Sequence, residues 1–211
     1  MVDRPEPKPW YVELAKFLLG KLTEARLRDG GAEGRVFTMS FETDWTGHSN
    51  SEERLARAAA LRAACDAALN DPSLAASDID GDGDLDTKCN WGLQRIAAEL
   101  GCLEFSGKRA NEIHAMCLSK PLDYDSLSPE RAVEAAKAGG LVVASLPNPA
   151  GSGHVAVVYP TSSGFSGTLN RPVPMVANIG KPPNGVVPAS KGFPVARYGE
   201  ICWFLWRRSM A

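Results

Sequence analysis

A cysteine, a histidine and an asparagine, far apart in the sequence, are residue types that together can cleave an amide bond. Cys89 stands at the predicted start of a helix, where the helix dipole favours the thiolate, the nucleophilic form of the side chain. His154 opens a later strand-like run, and an imidazole within reach of a thiol can hold it as thiolate and later protonate the leaving amine. Asn178 is the candidate for the group that orients the imidazole, with Asn170 as the alternative. The backbone N–H of Cys89 is the expected donor to the oxyanion.

An acidic loop directly before the cysteine has the composition of a calcium site. Its predicted metal ligands are Asp78, Asp80, Asp82, Asp84 and Asp86. Counted from Asp78, Gly83 matches the glycine of an EF-hand loop, but Cys89 falls where a bidentate glutamate would stand; counting from Asp80 loses the glycine. Closely spaced carboxylates repel one another without a counterion, so calcium is the predicted cofactor. The alternative is a solvated acidic loop.

Composition and charge limit the classes of function. The chain has 211 residues, 44% of them hydrophobic, and a formal net charge of -2, which predicts one catalytic domain and no nucleic-acid partner. No run of about 18 consecutive apolar residues exists, so no membrane span is expected. The N-terminal sequence MVDRPEPKPW lacks the order of a signal peptide. We therefore expect synthesis in the cytoplasm and export by a route that needs no signal peptide.

The cysteines do not suggest a disulfide framework. There are five of them, Cys65, Cys89, Cys102, Cys117 and Cys202, and the odd number leaves at least one thiol free, which we take to be Cys89. A zinc site formed by Cys102, His114 and Cys117 is an alternative use of the others. The chain has no CxxC pair, and His114 and Cys117 are at helical spacing, so we favour cysteines buried in the core.

The N-terminal third is predicted to be helical. One helix is indicated by apolar residues at helical spacing, namely Trp10, Leu14, Phe17, Leu18, Leu22 and Ala25. A second is predicted from about residue 50 to residue 70, with Ser49 and Glu52 as a capping box. We accordingly expect residues 1–70 to be a helical extension packed on a catalytic core of residues 71–211, the two forming one compact unit.

The chain after residue 70 is predicted to form further helices and then strands. A third helix begins at Cys89 and ends near Gly101, and its buried surface is expected from Trp91, Leu93, Ile96, Ala97 and Leu100. Two shorter helices are predicted over 110–118 and 128–139. Strands are then predicted over 141–146 and 154–159, joined as a hairpin, and over 173–179 and 201–206. Helices followed by an antiparallel sheet predict an α+β domain.

Two short motifs resemble a known family. KCNW at the head of a helix, followed by GHVAVV on a later strand, resembles the NlpC/P60 and CHAP group of papain-like cysteine peptidases and amidases, which cut peptide or amide bonds in bacterial peptidoglycan. The resemblance covers about residues 78 to 180. Some calcium-dependent phage lysins of the CHAP type are similar in having an acidic loop directly before the cysteine. The resemblance implies a papain-like fold with Cys89 and His154 as catalytic residues.

The same resemblance implies the substrate and the biological role. It predicts a cysteine hydrolase, an amidase or endopeptidase that degrades the cell wall, acting on the peptide part of peptidoglycan as a lysin or as a secreted antibacterial effector with a cognate inhibitor protein. The chain departs from the family in lacking the glutamine that often precedes the cysteine, and after His154 it has a single acidic residue, Glu200. The alternative function is a non-catalytic, calcium-stabilised binding domain in which Cys89 is only packed.

Overall fold

The computed structural model describes residues 51–78, 87–180 and 182–207. Several sequence predictions lie outside these ranges: the helix beginning near Trp10, Ser49 of the capping box, and four of the calcium ligands, Asp80, Asp82, Asp84 and Asp86. The remaining candidate residues are all described.

The four helices predicted within the described ranges are confirmed. They are α1 (Ser51–Leu69), α2 (Cys89–Glu99), α3 (Ala110–Ser119) and α4 (Pro129–Lys137), and a short α5 (Ala189–Gly192) was not predicted. Helix α4 begins as its sequence indicates, because the Ser128 hydroxyl accepts a hydrogen bond from the Arg131 N–H and Pro129 occupies the first turn. None of the described helices is both long enough and apolar enough to cross a bilayer.

The larger of the two sheets has six antiparallel strands. Its strands, in spatial order, are β1 (Tyr124–Leu127), β8 (Cys202–Trp206), β2 (Val142–Leu146), β3 (His154–Val158), β6 (Met175–Asn178) and β7 (Gly185–Pro188). Strands β4 (Gly164–Ser166) and β5 (Arg171–Val173) form a separate two-stranded sheet. Strands β2 and β3 are buried at every residue and pair as the predicted hairpin. The fold is therefore α+β.

The order and extent of some strands differ from the prediction. Strand β1 precedes α4, so the helices do not all come before the sheet. The single strand expected over 173–179 is divided at Pro174, with β5 in the small sheet and β6 in the large one. Proline has no N–H to donate to a ladder, which explains a break at this residue. Strand β7 was not predicted, because its two valines stand between Gly185 and Pro188, residue types that are typical of turns.

Trp91 does not belong to the buried face of α2. Its side chain is 47% exposed, whereas Leu93, Ile96 and Ala97 are buried as expected. Position 91 lies on the opposite side of the helix from the residues that face the core. The ammonium group of Lys88 lies 5.6 Å from the centroid of the Trp91 ring, a cation–π distance on the solvent side of the helix.

Helix α1 packs on the core through residues spaced three or four apart, which are Leu61, Ala64, Cys65 and Ala68. The Tyr159 hydroxyl, just after β3, donates to Asp66 Oδ1 at 2.9 Å, and Arg62 Nη2 donates to the Pro160 carbonyl at 2.8 Å. These bonds fix α1 to the end of β3. The domain boundary expected at residue 70 stays a prediction, because α1 would pack on the core whether or not a boundary lies there.

Candidate active site

The start of α2 is held against the segment that follows β6. The Lys88 N–H, one residue before Cys89, donates to the Gly180 carbonyl at 3.1 Å. Gly180 has a φ of +68°, and a Cβ there would lie 2.7 Å from Lys88 N. One turn further along, a Cβ at Gly92 would lie 2.6 Å from the Ile179 side chain. Both glycines therefore permit close contact, and they place Cys89 beside residues 179–180.

His154 and Asn178 are in direct contact. His154 Nε2 lies 2.9 Å from Asn178 Oδ1, and Asn178 Nδ2 donates to the Pro183 carbonyl at 2.7 Å. The second bond fixes the orientation of the amide, so its oxygen faces the imidazole and accepts the proton on Nε2. The neutral imidazole then carries its lone pair on Nδ1. The Phe193 ring packs edge-on to the imidazole at a centroid distance of 4.7 Å.

The topology brings the three predicted residues to one end of the sheet. Strands β3 and β6 are antiparallel neighbours, so His154 at the start of β3 and Asn178 at the end of β6 share that end. Gly180, which holds the head of α2, is two residues beyond Asn178. The alternative orienting residue, Asn170, is exposed in the turn between β4 and β5, with a φ of 48°, and does not belong to this site.

Burial determines what this site requires chemically. The side chain of Cys89 is 4% exposed and that of His154 is 6% exposed. Removal from water disfavours a charged thiolate, so a nucleophilic Cys89 depends on favourable neighbours. The N-terminal end of α2 is one, because the aligned peptide dipoles of a helix give this end partial positive charge. A protonated imidazole is the other, and the pair of opposite charges needs both partners in place.

Three of the remaining cysteines have surroundings that suppress the thiolate. Burial, with a smaller contribution from Cys102, raises the pKa of Cys117 to about 12. Burial and the nearby Asp66 raise the pKa of Cys65 well above its ordinary value, and burial raises that of Cys202. All the cysteines are free thiols. These three are therefore poor nucleophiles near neutral pH.

The described residues give no support for a zinc site. Within residues 51–78, 87–180 and 182–207, no group of three or more metal-binding side chains is arranged to hold an ion. Cys102 and Cys117 are buried in the core, and His114 Nδ1 lies 3.2 Å from the Ser145 hydroxyl. Asp78 is the one candidate calcium ligand that is described, and it is exposed. The calcium site stays a prediction from the sequence.

Two features of the site were missed from the sequence. Gly180 and Pro183 follow the strand predicted over 173–179, and no role was predicted for either residue. Gly180 supplies close backbone contact with Lys88, and Pro183 supplies the carbonyl that orients Asn178. A glycine two residues after a candidate catalytic side chain was the available signal, since glycine permits such an approach.

No known protein-family model matches this sequence, and no curated protein matches it either. The functional argument therefore depends on the motifs of the chain and on the geometry of its own residues.

Proposed function

We propose that the protein is a cysteine hydrolase with a papain-like fold that cleaves amide bonds in peptidoglycan. The observation that carries the proposal is the contact of 2.9 Å between His154 Nε2 and Asn178 Oδ1 at the end of the sheet where the Cys89 helix begins. A base oriented by a third group, beside a cysteine at a helix start, is the arrangement that thiol catalysis needs. The motif resemblance supplies the substrate class.

Acylation uses the two nitrogens of His154 for different tasks. Asn178 holds Nε2–H, so Nδ1 is the atom that takes the thiol proton of Cys89. The sulfur attacks the amide carbonyl, and the resulting oxyanion receives a hydrogen bond from the Cys89 backbone N–H in the first turn of α2. When the C–N bond breaks, the imidazolium returns the proton to the leaving amine. A thioester and a free amine are formed.

Deacylation reverses the proton transfers. His154 Nδ1 removes a proton from water, and the hydroxide attacks the thioester carbonyl. The C–S bond then breaks, the carboxylic acid is released, and the proton on the imidazole returns to the Cys89 sulfur. The reaction consumes one water molecule for each amide bond cleaved and leaves the enzyme unchanged.

The biological setting is proposed from the resemblance. The substrate is a peptide or amide bond in peptidoglycan, and the protein acts as a lysin or as an antibacterial effector that is exported without a signal peptide. An effector of this kind would be matched by an inhibitor protein in the producing cell. Calcium bound at Asp78–Asp86 is proposed to support the loop before Cys89, and no catalytic step depends on it.

A second candidate function is a non-catalytic binding domain. The observation that favours it is the 4% exposure of Cys89, which is typical of a cysteine that only fills space in the core. In this alternative the contact between His154 and Asn178 is a buried hydrogen bond that stabilises the sheet. The two candidates differ in whether the Cys89 thiol reacts.

Digestion of purified peptidoglycan tests the proposal. The wild-type protein should release fragments whose masses show hydrolysis of an amide bond, and Cys89→Ala should release none. Cys202→Ala is the matched control, since Cys202 is a partly exposed thiol of raised pKa, and it should cleave as the wild type does. Absence of fragments from the wild type, or unchanged cleavage by Cys89→Ala, would contradict the proposal.

A further inference from the structure

The loop before His154 has a sequence that does not fix its own shape. Residues 147–153, PNPAGSG, join β2 to β3 and contain two prolines and two glycines. A connection of this length is longer than a tight hairpin turn, so its conformation depends on contacts from elsewhere in the molecule. The loop leads directly into His154, so its conformation determines the position of the imidazole.

Asn111, in the first turn of α3, makes those contacts. Its Nδ2 donates to the carbonyls of Asn148 and Gly151, both at 2.9 Å, and its Oδ1 accepts from the Asn148 N–H at 2.9 Å. A Cβ at Gly153 would collide with the same Oδ1, so the amide also lies against the residue next to His154. One side chain therefore holds the loop at three points.

The N-terminal end of α3 is held in turn by the helix that carries Cys89. Asn90 Nδ2 and Gln94 Nε2 both donate to the Lys108 carbonyl, at 3.1 and 2.8 Å, and the Gly107 N–H donates to Gln94 Oε1 at 3.1 Å. Helix α3 starts two residues after Lys108. The side chains of Asn90, Gln94 and Asn111, which we term the amide bridge, thus connect α2 with the loop before His154.

We propose that Asn111 is a positioning residue for His154, and this inference rests on the proposed function. Asn111 does not touch the reacting atoms. It fixes the loop from which β3 starts, and through the amide bridge it fixes that loop relative to the Cys89 helix. Because the thiolate of a buried cysteine depends on a nearby imidazolium, the spacing of the two side chains controls both the rate and the acidity of the thiol.

The variant Asn111→Ala tests the proposal. On a soluble muropeptide we expect kcat to fall by about tenfold to a hundredfold with KM little changed, because misplacement of a catalytic group affects the chemical step. We also expect the pH at which Cys89 becomes half-reactive toward iodoacetamide to move upward, since the thiolate loses part of its stabilisation. Asn70→Ala is the matched control: Asn70 Nδ2 donates to a backbone carbonyl, that of Asp66, at 2.8 Å, and its loss should change neither quantity.

A second variant keeps the test independent of folding. Asn111→Asp retains the size of the side chain and the acceptor for the Asn148 N–H but loses both donors, and it should show the same changes while unfolding cooperatively. The proposal is overturned if folded Asn111→Ala or Asn111→Asp has the kcat and the alkylation profile of the wild type. A wild type that neither cleaves muropeptides nor alkylates at Cys89 would instead overturn the proposed function.

Discussion

His154 and His114, the two described histidines, have similar contacts, but only His154 is a candidate catalytic base. His154 and His114 each lie edge-on to a phenylalanine ring, and each has a ring nitrogen close to a side-chain oxygen on the sheet. The partner of His154 is Asn178 at 2.9 Å, and the partner of His114 is Ser145 at 3.2 Å. Burial lowers the pKa of His114, so its neutral form is favoured. A hydrogen-bonded imidazole beside a phenylalanine ring is therefore not by itself a catalytic base.

The difference lies in what holds each partner. The amide of Asn178 is oriented by the Pro183 carbonyl, so it accepts from Nε2–H and leaves the lone pair on Nδ1. The Ser145 hydroxyl can donate or accept, and its residue is fully buried in β2, so it defines neither a tautomer nor an accessible nucleophile. Ser145 pairs with Val155, the residue next to His154, so the two histidine sites are at the same end of the sheet but on opposite faces. The start of α2 is held by Gly180, two residues beyond Asn178. The comparison indicates that an oriented partner and an adjacent helix start distinguish the candidate base.

The largest expected effect is the difference in activity between His154→Ala and His114→Ala. We expect His154→Ala to lower the rate of muropeptide cleavage by about 10² to 10⁴-fold, because the base that activates the thiol is lost. His114→Ala should retain most of the activity and lose stability through the cavity it leaves. The assay measures kcat/KM on a soluble muropeptide alongside thermal unfolding. Equal losses of activity in the two variants would remove the distinction.

Alanine substitutions at two glycines of positive φ test whether the contact between Gly180 and Lys88 contributes to stability and activity. Gly180→Ala places a Cβ against the Lys88 backbone, whereas at Gly101, with a φ of +80°, nothing lies within 4 Å of the new Cβ. Both variants carry the left-handed penalty of about 1 kcal/mol. Gly180→Ala should additionally displace Lys88, so it should unfold at lower denaturant concentration and lose more activity. Identical denaturation curves and rates would show that the contact is unimportant.

Removal of calcium should have a smaller effect, through the loop that precedes Cys89 in the sequence. If Asp78–Asp86 bind the ion, a chelator should lower the melting temperature by about 5 °C, and added calcium should restore it. Asp82→Asn should weaken the response, and magnesium should restore little because it accepts irregular ligand sets poorly. A melting temperature that is unchanged by chelation would leave the solvated loop as the explanation of these aspartates.

Local features of the chain could be predicted because they depend on near neighbours. The apolar spacing after Cys89 predicted α2, and Ser128 with Pro129 predicted the start of α4. Two apolar runs on either side of NPAGSG predicted the hairpin of β2 and β3. The break at Pro174 had a signal, since proline cannot donate to a ladder, but it was missed. The exposure of Trp91 was missed because the helical face was assigned from hydrophobicity alone.

Long-range contacts could not be predicted. The sequence offered two asparagines after His154, and the choice between Asn178 and Asn170 depends on which strand pairs with β3. The contact between Lys88 and Gly180 and the three bonds of Asn111 join residues that are 37 or more positions apart. A single sequence contains periodicity and local propensity, and it does not specify which distant segments meet.

Site-selective alkylation tests the central claim, that Cys89 is a thiol activated by its site. A raised pKa means less thiolate at a given pH, so at pH 7 Cys117, with a pKa of about 12, and the partly exposed Cys202 should react slowly with iodoacetamide. We expect peptide mass mapping to show that Cys89 is modified first, although it is more buried than Cys202, and that His154→Ala slows its modification specifically. Modification of Cys202 first, with Cys89 unmodified in the folded protein, would contradict the claim.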